Sequence, residues 1–141
     1  MQLSVQGEER VKVAPERAEL TLAVSVEGTD RATVVAEVTA AANRLAGELK
    51  QLQQSGAAER HAVRPLQTYS FRPGRSTAQR FTATVDASVV FSDFEALARY
   101  TSELASRPEV RLGYVRWFLT DATARRLQDE CIAGAVRRAR E

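Results

Sequence analysis

Apolar residues fall on odd positions before Pro15 (Leu3, Val5, Val11, Val13) and on even positions after it (Ala18, Leu20, Leu22, Val24, Val26). Alternation with period two marks strands with one buried face. The change of parity at Ala14-Pro15 requires a break, because an unbroken strand would otherwise turn its apolar side to water. Proline suits that break, since it lacks an N–H and restricts the residue before it. The pattern therefore predicts a first strand, bent or bulged at Gly7, then a proline corner and a regular second strand. Glu27-Gly28-Thr29-Asp30 reads as a turn whose Thr or Asp caps a helix.

From about residue 31 to 54, Val35, Val38, Ala42, Leu45, Leu49 and Leu52 recur at steps of three and four, one stripe of an amphipathic helix. Ser55-Gly56 supplies its stop. Leu66, Tyr69 and Phe71 predict a third strand over residues 62–72, with Pro65 placing it near an edge. After the turn Pro73-Gly74-Arg75-Ser76, Phe81, Ala83, Val85, Ala87, Val89 and Phe91 alternate with polar neighbours, the clearest strand in the chain. Ser92-Asp93-Phe94-Glu95 has the form of a capping box, and Phe94, Leu97, Ala98, Thr101 and Leu104 form the expected inner face of the helix that follows. Residues 110–119 predict a fifth strand bulged near Gly113. Thr120-Asp121 opens a third helix with a narrow stripe of Ala124, Leu127, Cys131 and Ala135.

The order ββαββαβα contains a ferredoxin-like βαββαβ core. The expected fold class is α+β, a two-layer sandwich in which a mostly antiparallel sheet carries helices on one face. A chain of 141 residues fits one domain, 1–141, able to bury roughly 70% of its unfolded surface.

Composition changes this picture little. The 44% hydrophobic and 27% charged content is ordinary for a globular chain, and no apolar run approaches the ~20 residues of a membrane span. Net charge is only +2, so there is no strong electrostatic case for nucleic acid. The first residues lack a basic region followed by an apolar one; as written the chain is expected in the cytoplasm, with the periplasm or cell envelope the alternative if a leader precedes it.

Candidate chemistry is sparse. One histidine, His61, and one cysteine, Cys131, provide neither a zinc ligand set nor a disulfide. His61 reads as an exposed residue of a polar connection, Cys131 as a buried structural thiol, and Asp86 as a carboxylate on the wetter face of its strand. No G-x-S-x-G elbow, P-loop or G-x-G-x-x-G occurs. No catalytic residue, metal or cofactor is expected. The densest cluster is Tyr69, Arg72, Arg75 and Arg80 around Pro73-Gly74, interleaved with Phe71 and Phe81. Aromatics among arginines fit single-stranded bases, a small ligand or an acidic partner; the plainer reading is a solvated hairpin with core aromatics.

The segments SVQGEERVKVAPERAELTLAVSVEG, TVVAEVTAAANRLAGELKQL and LGYVRWFLTDATARRLQDECIAGAV resemble the SIMPL domain family in order and spacing. That family includes bacterial periplasmic immunogenic (outer-membrane) proteins and an adaptor for an interleukin-receptor-associated kinase. Gly7, Pro15, Ala18, Asp121 and Ala135 occupy places matching the family pattern, whereas Glu9 stands where a second glycine is common. The resemblance implies an envelope or adaptor role with self-assembly, brings no catalytic residues, and implies further strands beyond the third helix. A sheet without those strands exposes unpaired N–H and C=O groups, so a homo-oligomer through sheet edges, or a protein partner there, is expected.

Overall fold

The computed structural model describes residues 2–5, 9–12, 14–75 and 77–140, with side chains described for 14–75 and 77–137. The chain forms two compact units, Glu19–Arg116 and residues 1–18 with 117–141.

The larger unit is built on a five-stranded antiparallel sheet. Its strands are β3 (Arg17–Gly28), β4 (Ala58–Val63), β5 (Gln67–Phe71), β6 (Arg80–Phe91) and β7 (Val110–Phe118), with β3 and β7 crossing the unit boundary. The helices are α1 (Arg31–Gln54) and α2 (Phe94–Ala105). The strand order β4-β6-β3-β7, with β5 also on β6, is the ferredoxin-like order, each parallel crossover leaving room for one antiparallel strand between its ends. This is the α+β architecture expected from the hydropathy pattern.

On β3, Leu20, Leu22 and Val24 are buried, and on β6, Ala83, Val85, Ala87 and Val89. These residues share one face, and Val34, Val38, Ala42, Leu45 and Leu49 of α1 supply its cover. The inner face of α1 thus begins at Val34, not Val35. On α2 it comprises Ala96, Leu97, Tyr100 and Leu104, while Ala98 is exposed, a rotation from the expected stripe. The reason is Tyr100: its ring stands 6.3 Å from that of Phe91, and an aromatic with a polar tip serves as core once the hydroxyl has a partner. Truncating a fully buried side chain such as Leu45 to alanine is worth about 3 kcal/mol here. The opposite face carries Thr21, Ala23 and Ser25 from β3 and Thr82, Thr84, Asp86 and Ser88 from β6, none of them buried.

The expected cap of α1 is not made: Asp30 stands at the cap position, but its carboxylate accepts from the Thr33 hydroxyl and from no helix N–H. Two other helix ends follow their local chemistry. Gly56 adopts φ 85°, the left-handed conformation expected just after α1. Asp93, not Ser92, caps α2: its carboxylate accepts from the N–H groups of Glu95 and Ala96. Ser92 instead donates to the carbonyl of Gly56 at 3.0 Å.

Two strands depart from expectation. The predicted strand over 62–72 is two strands, β4 and β5, both antiparallel to β6 and separated by Arg64-Pro65-Leu66. Proline has no N–H to give the ladder, and Arg64 makes the last such contact, to the carbonyl of Asp86 at 2.9 Å. Just before β7, the carbonyl of Glu109 accepts from the Ser25 N–H at 2.9 Å, while within it Tyr114 turns its N–H and carbonyl to the Thr21 hydroxyl, both at 3.2 Å. Residues 109 and 114 both face β3 across an odd interval, so the regular alternation breaks between them, where Gly113 sits. A Cβ on Gly113 would lie 2.5 Å from the Thr21 hydroxyl and 2.7 Å from its carbonyl oxygen.

In the smaller unit, β1 (Gln2–Val5) and β2 (Glu9–Lys12) pair antiparallel, with Leu3 opposite Val11 and Val5 opposite Glu9. The expected single bent strand is thus a two-stranded ribbon. Opposed residues sum to an even number, so a reversal preserves the odd-position pattern that suggested continuity. The bulge expected at Gly7 lies outside the described residues. The helix α3 (Asp121–Arg140) packs against β1 and β2, and its Leu127, Cys131 and Gly134 are buried.

Candidate interaction surface

The arginine–aromatic cluster lies on β5, β6 and the turn between them. Gln67, Tyr69 and Phe71 pair with Thr84, Thr82 and Arg80 and so share the uncovered face of the sheet. Tyr69 is 59% exposed and Phe71 39%. Phe81 pairs with Ser70 and is half-buried on the other face. The aromatics therefore do not interleave on one surface. Arg80 donates from Nε to Glu27 Oε1 at 2.8 Å, which holds its charge locally. Arg72 and Arg75 are exposed near the turn. The structure brings Tyr69, Phe71 and Arg80 onto one face and leaves Arg72 and Arg75 at its end.

The other singled-out residues do not join this cluster. His61 is a half-buried strand residue rather than a loop one: it pairs with Val89, and its Nδ1 lies 2.6 Å from Gln53 Oε1. Asp86 is exposed on the uncovered face, beside a shallow groove of about 260 Å³ that Arg111 and Tyr114 also line. Cys131 is buried. Among the described residues there is no group of three or more His, Cys, Asp and Glu side chains that could hold a metal ion.

Sequence reasoning missed the strongest polar arrangement. Arg107 donates from Nη1 to Glu48 Oε1 at 2.7 Å, and from Nη2 to Glu48 Oε2 at 2.6 Å and to Glu103 Oε1 at 2.7 Å. The Tyr100 hydroxyl donates to the same Glu48 oxygen at 3.3 Å. Hydrogen bonds from Arg107 hold the Glu48 carboxyl below its usual range, and burial followed by the Glu48 charge pushes the Tyr100 hydroxyl well above its own. A cleft of about 410 Å³ lies alongside, lined by Glu48, Gln51, Leu52, Ser55, Tyr100 and Glu103. Because Glu48 is already bidentate to Arg107, the arrangement binds α1 to the end of α2 and offers no free base. The only advance signal was Arg107 just before Pro108, beyond the helix pattern.

In the smaller unit, Glu16 accepts from the Thr120 N–H at 3.2 Å and from the hydroxyls of Thr120 and Thr123 at 3.3 and 3.0 Å. The Thr123 hydrogen bond leads in holding the Glu16 carboxyl below its usual range. Thr120 in turn accepts from the Thr123 N–H, so strand start and helix start are fastened together.

The exposed large apolar side chains are gathered elsewhere. Val63, Tyr69, Phe71, Leu112, Tyr114 and Trp117 lie on β4, β5 and β7, the strands bordering the five-stranded sheet; the two others, Ile132 and Val136, lie on α3.

The model of the SIMPL family, described as a protein of unknown function (DUF541), matches residues 3–141. The chain belongs to the SIMPL family. Among curated proteins no match is found. As a SIMPL protein it carries no family assignment of a reaction, and among its described helices none is long and apolar enough to cross a membrane.

Proposed function

We propose that this SIMPL protein is a non-catalytic module, acting as one domain over the whole chain, that assembles with further copies through the edges of its sheet. The observation that carries the reading is the placement of exposed apolar side chains. Six of the eight described ones stand on border strands, the kind of strand that can accept a further one beside it. The described polar clusters support it too, since Glu48–Arg107 and Glu16–Thr123 are mutually satisfied contacts between elements. Light scattering of the chain at micromolar concentration tests the proposal: a mass above that of one chain is expected, and a monomer at every concentration overturns it.

A second reading has one observation in its favour, the common face of Tyr69, Phe71 and Arg80, which resembles a stacking surface for single-stranded nucleic acid. The Glu27 partner of Arg80 and the opposite orientation of Phe81 weaken it.

A further inference from the structure

The border strands differ in how they are guarded. β7 carries Arg111 and Arg116 and breaks its alternation near Gly113. β4 carries Glu59 and Arg60, and its register on β6 shifts between Ala58 and Arg60. Charges and irregularities of this kind discourage a second strand from joining an edge. β5, Gln67-Thr68-Tyr69-Ser70-Phe71, has neither: it is uncharged, free of Gly and Pro, rich in strand-forming residues, and in unbroken register with β6. Its second edge has no strand partner among the described residues.

We infer that β5 pairs antiparallel with β5 of a second copy, with Tyr69 on the two-fold axis. This rests on the assembly reading above and names the surface that would carry it. A two-fold axis normal to an antiparallel pair sets one residue opposite itself, which restricts the possible registers. With Tyr69 on the axis, all five residues are engaged: Gln67 stands opposite Phe71 of the second copy, and Thr68 opposite Ser70. Arg72 then faces Leu66. Moving the axis to Thr68 would set Arg72 against Arg64 of the second copy and engage only residues 67–69, and moving it to Ser70 would engage only residues 69–71. Charge and the length of strand engaged together favour the centred register. Two tyrosines and two phenylalanines then form one aromatic row on the uncovered face, each shielding the flank of the next where one copy leaves Tyr69 59% and Phe71 39% exposed.

The test compares the chain with Tyr69→Lys, which sets two ammonium groups against each other at the axis, and with Tyr114→Lys on the other border. Circular dichroism confirms folding of each, and light scattering reads the mass. Wild type and Tyr114→Lys are expected at twice the chain mass, with Tyr69→Lys dimerising on the order of tenfold more weakly. In a Cys131→Ala background, Tyr69→Cys is expected to form a covalent dimer on mild oxidation. Assembly as tight in Tyr69→Lys as in wild type, or Tyr69→Cys that stays uncrosslinked in an assembled sample, overturns the β5 inference and leaves the assembly reading standing. A monomeric wild type overturns both, as does a monomer that binds a single-stranded oligonucleotide through this face.

Discussion

Arg107 grips Glu48 with both terminal guanidinium nitrogens, at 2.7 and 2.6 Å, across fifty-nine residues of sequence. Side-chain exposures of 10% and 23% put the pair in the range where removing one partner strands the other. Arg107→Met is expected to lower stability by about 2 kcal/mol in urea unfolding at neutral pH, less than a fully buried pair because water reaches Glu48. Glu103→Gln is expected to cost less than about 0.5 kcal/mol, since Glu103 is 56% exposed.

The same pair sets a pH dependence. The folded Glu48 carboxyl titrates below its ordinary value of 4.5, so its contribution is complete above that value and is lost as pH falls through the lower, folded one. The stability difference between wild type and Arg107→Met is therefore expected to be greatest at neutral pH and to shrink as the pH falls into the acid range where Glu48 is protonated. A difference unchanged down to acid unfolding would refute the assignment.

Glu16 behaves likewise in the smaller unit. Its carboxyl is held down chiefly by the Thr123 hydroxyl, so Thr123→Val is expected to return its titration toward 4.5, as read by carboxyl NMR. The first-turn amides of α3 are expected to exchange faster in that variant, because Glu16 and Thr120 are held less firmly at the helix start.

Gly113 faces Thr21 too closely for a side chain. Gly113→Ala is expected to cost about 2 kcal/mol in thermal unfolding, through the 2.5 and 2.7 Å contacts that a Cβ would make. Adding Thr21→Ala is expected to restore only part of the loss, because the second contact is to the backbone carbonyl.

Replacing Arg72, Arg75 and Arg80 together by alanine is expected to leave the light-scattering mass unchanged, since none of them belongs to β5. Wild-type affinity for a single-stranded oligonucleotide that falls in this variant, with a flattened salt dependence, would instead support the nucleic-acid reading.

The sequence by itself determined the element types and their order, because buried faces impose period two on strands and roughly 3.6 on helices. Leu20, Leu22 and Val24, the β6 alternation, the α1 stripe from Val38 to Leu49 and the stop at Gly56 were all legible for that reason. Tertiary structure decided what periodicity leaves open. Pro65 could mark an edge but not show that two strands share it, and odd-position spacing is the same for a straight strand and for the β1–β2 ribbon. The turn of α2 that brings Tyr100 inward, and the pairing of Glu48 with Arg107, depend on partners more than fifty residues away. Hydrophobic patterning is local and repeats, so one chain segment displays it; a hydrogen-bond partner or a free edge is a relation between distant segments and exists only once they have packed.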